Sequence, residues 1–368
     1  MTTCLNFLFV PTTSAVCCAE RLATARQSWR DGETSKEALT AIEDECIAEL
    51  VVHQERVGLR AVTDGEFRRD WWHLDFLNGF EGIGLAQRER PANFSGVGES
   101  PPIPVVVGKV RHTAPIFVDA FTYLASVTTK GVPKITIPGP GMASFMGGRK
   151  GIDHDAYPDI EEYWDDLVTA YRSEVEALYA AGCRYLQLDD VSFAYLCDPD
   201  FREKMRERGD DPDDMIVRHR DAMNAVIAGR PSDLLVSTHM CRGNFRSRWI
   251  ASGGYEPIAE RIFGGLHVDA FFLEFDSERA GGFEPLRHLA PNKTAVLGLV
   301  TTKTGALEAE DELRHRIDEA SAIVPLDQLA LSPQCGFSST HHGNDLTEDE
   351  QWRKLELVVG VSEQVWGS

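Results

Sequence analysis

Short apolar runs of strand length alternate along the chain with longer stretches in which apolar residues recur at three- and four-residue steps. Runs of the first kind fall at 6–10, 61–64, 134–138, 185–189, 234–238, 270–274, 295–300 and 328–331. Between them the helical period is explicit. Tyr163, Trp164, Leu167, Val168, Tyr171, Val175 and Leu178 trace one buried face, and similar faces occupy 38–57, 215–227, 308–323 and 348–365. Eight strands, each followed by a helix, predict an α/β fold built of βα units. The natural closure is a (β/α)8 TIM barrel forming a single domain over 1–368, with a doubly wound open sheet as the alternative.

One segment exceeds a minimal barrel. From about 70 to 125 the chain carries Trp71, Trp72, Phe76 and Phe80, then a stretch with Gly96, Gly98, Pro101, Pro102 and Pro104, then apolar runs at 105–107 and 116–118. An inserted arm or hairpin after the second strand, covering the barrel mouth, is expected. Its aromatics either stack on a flat substrate, which makes Trp71 and Trp72 candidate substrate contacts, or simply pin the arm down.

Polar residues gather where the predicted strands end. Asp64 and Glu66 follow the second run, Asp189 and Asp190 end the fourth, and His239 and Cys241 end the fifth. Glu274 closes the sixth, Lys303 follows the seventh and Cys335 the eighth. In a barrel all of these converge on one mouth, whereas an open sheet spreads them along an edge. Residues i and i+2 of an extended segment face the same side about 6.5–7 Å apart, so His239 and Cys241 can close on one cation once the strand gives way to a loop. Cys335 lies between Pro333 and Gly336, where the backbone turns beyond an apolar run. His239, Cys241, Glu274 and Cys335 together form the N/S/O set of a tetrahedral Zn2+ site. Taken singly, each reads equally well as a buried thiol, a core histidine or a strand-end carboxylate.

Composition narrows the function classes. The 368 residues include 37 basic and 58 acidic side chains, a formal net charge of −21, whose field repels nucleic acid and anionic membrane surfaces. No stretch approaches the roughly 18–20 apolar residues of a membrane span. Eight cysteines are too sparse for a disulfide scaffold and the N-terminus lacks a basic leader region, so a reducing, cytoplasmic setting is expected. Cys46 and Cys183 read as packing residues; Cys17, Cys18 and Cys197 read as lying near strand ends.

The set His239-x-Cys241, Glu274 and Cys335-Gly336-Phe337-Ser338-Ser339, with Asp64-Gly65-Glu66 and Leu186-Gln187-Leu188-Asp189, resembles the C-terminal catalytic barrel of cobalamin-independent methionine synthase. The likeness covers nearly the whole chain. It is strongest to short single-barrel relatives within the uroporphyrinogen decarboxylase/methionine synthase-like superfamily, and zinc-dependent epoxyalkane:coenzyme M transferases are similar in the same way. The resemblance implies that the four residues ligate zinc and that Glu66 and Asp189, with Asp64 beside them, hold the amino group of homocysteine. It also makes Ser14 a substrate-binding position, because Thr12-Thr13-Ser14-Ala15-Val16-Cys17-Cys18 stands where the family has a Ser-Phe-Pro turn. A surface pairing of Glu66 with Arg68 or Arg69 is the competing reading.

The reaction so implied is methyl transfer from a 5-methyltetrahydrofolate-type donor to a thiol. A free thiol with a pKa near 8.5 is only a few per cent thiolate at neutral pH, and a metal removes that limit. Departure of a folate nitrogen needs a proton, yet Val300-Thr301-Thr302-Lys303-Thr304 holds no histidine, which leaves Lys303 or a nearby water as the candidate acid. Alkyl transfer to another thiol, and a corrinoid methyl donor, therefore stay open. The expected partners are a small thiol acceptor and a methyl or alkyl donor, with a second copy of the chain or a donor protein left open.

Overall fold

The computed structural model describes residues 16–87, 102–337 and 343–367. Its strands are β1 (Ala61–Val62), β2 (Glu81–Ala86), β3 (Ile103–Arg111), β4 (Val132–Pro133), β5 (Ile135–Pro138), β6 (Tyr185–Asp189), β7 (Leu235–Met240), β8 (Ala270–Glu274), β9 (Thr294–Val300) and β10 (Leu329–Pro333). Strands β5 to β10 form one parallel sheet in chain order, and β1 pairs in parallel with β4, which leads through Lys134 directly into β5. This is the order of a (β/α)8 barrel read from its second strand to its eighth. Seven of the eight expected strand runs are present; the first, 6–10, lies outside the described residues, as does Ser14.

Packing shows that the sheet curls. β5, β6, β8 and β10 are buried at every position, as parallel strands covered on both faces must be. Ala61 of β1, Tyr185 of β6, Ala270 and Phe272 of β8, Val296 of β9 and Ala330 of β10 pack as one small cluster distinct from the main core. Residues from β1 and β10, at opposite ends of the strand order, share a cluster only if the strands wrap around it. This is the inward face of the barrel. Lys134 is buried against it, its ammonium 4.6 Å from the centre of the Tyr185 ring and 4.4 Å from that of Phe272.

Helices cover the outer face. The helix Ile160–Ala180 buries Tyr163, Trp164, Leu167, Tyr171, Val175 and Leu178, the face that the sequence period marks. Glu174, also buried on that helix, accepts hydrogen bonds from the backbone N–H groups of Ile116 and Phe117 at 2.9 and 2.8 Å and contacts His112 at 2.7 Å. It therefore ties the inserted segment to the barrel wall. Within that segment β2 and β3 form an antiparallel hairpin, and Val106 of β3 bridges to Ile152. The expected hairpin thus exists, but its first strand is 81–86. The run 116–118 is no strand; it leads into the helix Val118–Val127. Among the described residues, no helix is long and apolar enough to cross a membrane.

The turn after β1 requires one glycine. Gly65 has φ +68°, and a Cβ there would lie 2.5 Å from Leu50 Cδ2 and 2.9 Å from the Phe67 ring. Glu66 follows at φ +49°, an unusual conformation for a non-glycine residue that aims its carboxylate inward. Gly65→Ala is expected to lower stability by about 2 kcal/mol, read as a fall in Tm.

Candidate metal centre

His239 is the penultimate residue of β7 and Cys241 the first beyond it; Cys335 lies two residues beyond β10. Strands β8 and β9 intervene, so in a flat sheet β7 and β10 would stand about 14 Å apart, three strand spacings. The curl removes that distance. The Sγ atoms of Cys241 and Cys335 are 3.6 Å apart, and one ligand atom from each of His239, Cys241 and Cys335 lies within 4.8 Å of the other two. Metal–sulfur bonds of about 2.3 Å at tetrahedral angles separate two thiolates by about 3.8 Å, so the sulfur pair fits a zinc ion.

All three side chains are buried, and their electrostatics favour a cation. The hydrogen bond with Cys241 pulls the Cys335 thiol well below its ordinary range against the opposing effect of burial, and His239 and Lys303 act in the same direction. The same shared proton, together with burial, pushes Cys241 up. Burial disfavours a charged His239, but Cys335, Asp189 and Glu274 outweigh it and raise its pKa. The two sulfurs share a proton beside a histidine whose charged form is favoured, and a divalent ion would displace these protons.

Glu274 adjoins this trio and is strongly held. Its carboxylate accepts from the backbone N–H of Arg242 at 2.6 Å, pairs with the Arg279 guanidinium, and lies 3.7 Å from Lys303 Nζ. Burial works against its charge, yet Lys303, Arg242 and Arg279 bring it down to about 2. Lys303 also pairs with Asp276 at 3.5 Å. The buried Arg242 is held by Gly253 and stacks over Tyr255, with its guanidinium carbon 4.3 Å from the ring centre.

Asp189 lies within electrostatic reach of the trio, and Glu66 and Asp64 lie within reach of Asp189 or of each other. Glu66 Oε1 accepts from Thr136 Oγ1 at 2.5 Å and from Arg69 Nη1 at 3.1 Å, and Asp64 Oδ1 accepts from the Glu66 backbone N–H at 2.9 Å. The pairing with Arg69 is real but buried, whereas Arg68 turns away to Glu43 and Asp44. Burial lifts Glu66 to about 7, opposed by Arg69 and Thr136 and reinforced by Asp189 and Asp64. Asp189 accepts from Gln187 at 2.5 Å and is raised by burial, despite the pull of His239, Gln187 and Lys134. It therefore lies within electrostatic reach of both Glu66 and His239. Trp71 stacks on Phe245, in the loop just after Cys241, with ring centres 6.2 Å apart; Trp72 packs against His73 and the core.

The loops are joined by an amide and hydroxyl network that hydrophobic patterning does not reveal. Asn244 donates to Gly336 O at 2.8 Å and to Thr302 Oγ1 at 3.2 Å; Asn344 donates to Asn244 Oδ1 at 3.1 Å and to Thr302 O at 2.9 Å. Thr302 in turn donates to Gln334 at 2.9 Å. The loops after β7, β9 and β10 are thereby fixed to one another. The signal available in the sequence was proximity, since Asn244, Thr302 and Gln334 each lie within three residues of a predicted site residue.

Residues 12–362 match the family model of the cobalamin-independent synthase catalytic domain. The chain belongs to this family. Membership places it among methyltransferase-type enzymes with small-molecule substrates. It is 43% identical to the uncharacterised Bacillus subtilis protein YxjH over 93% of this chain and 90% of that one. It is 24% identical to the 5-methyltetrahydropteroyltriglutamate–homocysteine methyltransferase of Bacillus velezensis, matching over 93% of this chain but only 40% of that enzyme. Among solved structures, a Listeria monocytogenes protein described as a candidate vitamin-B12-independent methionine synthase superposes with a TM-score of 0.78 at 34% identity, covering 99% of this chain and 98% of that one. The B12-independent methionine synthase of Shewanella sp. W3-18-1, at 20% identity, TM-score 0.69 and 90% coverage of both chains, shares the fold. These neighbours are TIM barrels of the methionine synthase type, and this α/β fold is of the same kind.

Proposed function

We propose that the protein transfers a methyl group to the sulfur of a small thiol, homocysteine foremost, at a zinc ion held by His239, Cys241 and Cys335 with Glu274 as the fourth, adjustable ligand. The observation that carries this reading is the buried one-nitrogen, two-sulfur cluster within 4.8 Å, with the buried Asp189 in electrostatic reach of His239 and Glu66 in reach of Asp189. Bound zinc would supply a thiolate at neutral pH from an acceptor that is otherwise mostly protonated. The homocysteine methyltransferase named above supports this choice of acceptor and donor class.

The chain's own residues then divide the remaining work. An ammonium brought into a buried site needs carboxylate partners to offset its lost hydration, and Glu66 and Asp189 stand ready at adjacent positions. Arg69 and Thr136 fix the Glu66 carboxylate, so the amino acid is oriented as well as neutralised. Lys303, in reach of Glu274 and Asp276, is the candidate proton donor to the departing group. Trp71 offers a flat face near the Cys241 loop for a planar donor.

The direct test is metal content together with methionine formation from homocysteine, comparing methyltetrahydrofolates with one and with several glutamates, and coenzyme M as a rival acceptor. One zinc per chain with homocysteine-dependent methionine formation supports the proposal; no metal, or no transfer to any thiol, overturns it. Glu66→Gln is expected to raise KM for homocysteine by about ten- to a hundredfold while kcat changes little, because it removes a charged partner of the bound amino group and leaves the thiol chemistry intact.

A further inference from the structure

A second thiol cluster lies away from the metal centre, between the helices Val16–Arg30 and Lys36–Val57. Cys18, placed near a strand end by its sequence context, is instead in the first turns of a helix, and Cys46, which reads as a packing residue, is its neighbour. Arg21 brings the two together. Its Nε and Nη2 atoms lie 3.3 and 3.0 Å from Cys46 Sγ, and Nη2 is 4.0 Å from Cys18 Sγ. The same guanidinium pairs with Glu49 at 3.2 Å, and Glu49 accepts from the Cys18 thiol at 3.4 Å.

The arrangement is chemically specific. The neighbouring Cys18 thiol and a guanidinium set against the sulfur favour the thiolate form of Cys46. Two other buried thiols offer a contrast: Cys183 and Cys197 each donate to a backbone carbonyl at 3.4 Å, and burial pushes both up to about 12. Cys46 itself is buried, but its neighbours line clefts that open to solvent. Cys18 lines a cleft of about 500 Å³ with Glu49, His53 and Trp352, and Arg21, about two-fifths exposed, lines another of about 530 Å³.

We propose that Cys18 and Cys46 form a reversible redox site, in which Cys46 is the peroxide-reactive thiolate and Cys18 the resolving thiol. The oxidant class is a hydroperoxide. The Cys46 thiolate attacks one oxygen, the O–O bond breaks, and the departing hydroxide takes a proton from solvent to leave as water. The resulting sulfenic acid is then attacked by the Cys18 sulfur; the S–O bond breaks, the S–S bond forms, and the hydroxyl leaves with the Cys18 proton as a second water. Two thiols are oxidised by two electrons and one hydroperoxide is reduced. The product staples the two helices across a 28-residue separation in sequence and is reopened by a dithiol reductant.

The test uses the full-length, metal-loaded protein treated with about one equivalent of hydrogen peroxide at pH 7, then alkylated and digested without reduction. The expected product is a peptide pair linked through Cys18 and Cys46, two mass units lighter than the two reduced peptides and restored by dithiothreitol. In Cys18→Ser the expected product is a trappable sulfenic acid on Cys46. Arg21→Gln is expected to slow alkylation of Cys46 at pH 7 by about tenfold without changing that of Cys183. Absence of the linked peptide in wild-type protein, or Cys46 alkylation no faster than that of Cys183, overturns the proposal. The wild-type measurement stands even if a variant fails to fold.

Discussion

Cys335→Ser is expected to bind zinc at least about a hundredfold more weakly than wild type and to lose methyl transfer by on the order of a thousandfold. Cys335 and Cys241 share one proton between their sulfurs, and a serine hydroxyl at position 335 stays protonated at any relevant pH. Removing it leaves His239 and Cys241 on one strand end with no partner from β10. Cys183→Ser is the control, since that thiol is equally buried but donates only to the carbonyl of Tyr185. Zinc retained after passage over a chelator, together with turnover at saturating thiol, decides the matter. A Cys335→Ser protein with full metal and full turnover would remove the site from the mechanism.

Opposite tilts in the pH dependence of stability are expected from Asp190→Asn and His219→Asn. Ser192 Oγ links the two side chains, contacting Asp190 Oδ1 and lying 2.9 Å from His219 Nδ1. Burial, helped by Arg218 and Arg208, pushes His219 from 6.5 down to about 3. Between those values the unfolded chain takes up a proton that the folded chain refuses, so His219 withdraws stability as pH falls from 6.5 toward 3. Burial lifts Asp190 from 3.8 to about 7, opposed by Ser192 and reinforced by Asp189. Here the folded chain holds the proton first, so stability grows as pH falls from 7 toward 3.8.

Each contribution approaches about 1.4 kcal/mol per pH unit, and in the shared window between pH 4 and 6.5 they largely cancel. His219→Asn should therefore gain stability relative to wild type on acidification, and Asp190→Asn should lose it. Urea midpoints at pH 4.5, 5.5 and 6.5 measure this. Slopes in both variants indistinguishable from wild type would show that neither group changes its proton affinity on folding.

The sequence was most legible where one physical demand acts alone. Parallel strands buried on both faces read as mainly apolar runs, and 185–189 and 270–274 coincide residue for residue with β6 and β8. The face of the helix Ile160–Ala180 was equally plain, because solvent on one side and core on the other impose the 3.6-residue period. The hairpin strand 81–86 was missed because it has only one buried position in six, so no apolar run marks it.

At the site, His239, Cys241 and Cys335 declare themselves through their ligand chemistry and their places at strand ends. Their surroundings do not. Arg69 and Arg242 look like surface cations in sequence, and only the fold buries one against Glu66 and the other against Glu274. Glu174 presents the same difficulty: an acidic residue on a helix's buried face reads as a break in the pattern until the amides of Ile116 and Phe117 are brought to it.

The two cysteines of the candidate metal centre are 94 residues apart in sequence. Closing so long a loop in the open chain costs on the order of 4 kcal/mol of entropy before any contact is gained. Each neighbouring pair among β7, β8, β9 and β10 closes a shorter loop and makes its own ladder of hydrogen bonds. Once those strands have paired, the trio is already assembled, and an ion bound there would act as a clasp on the last third of the chain. Local opening of β10 would have to release the ion first, so metal loading should protect this end of the molecule more than the rest.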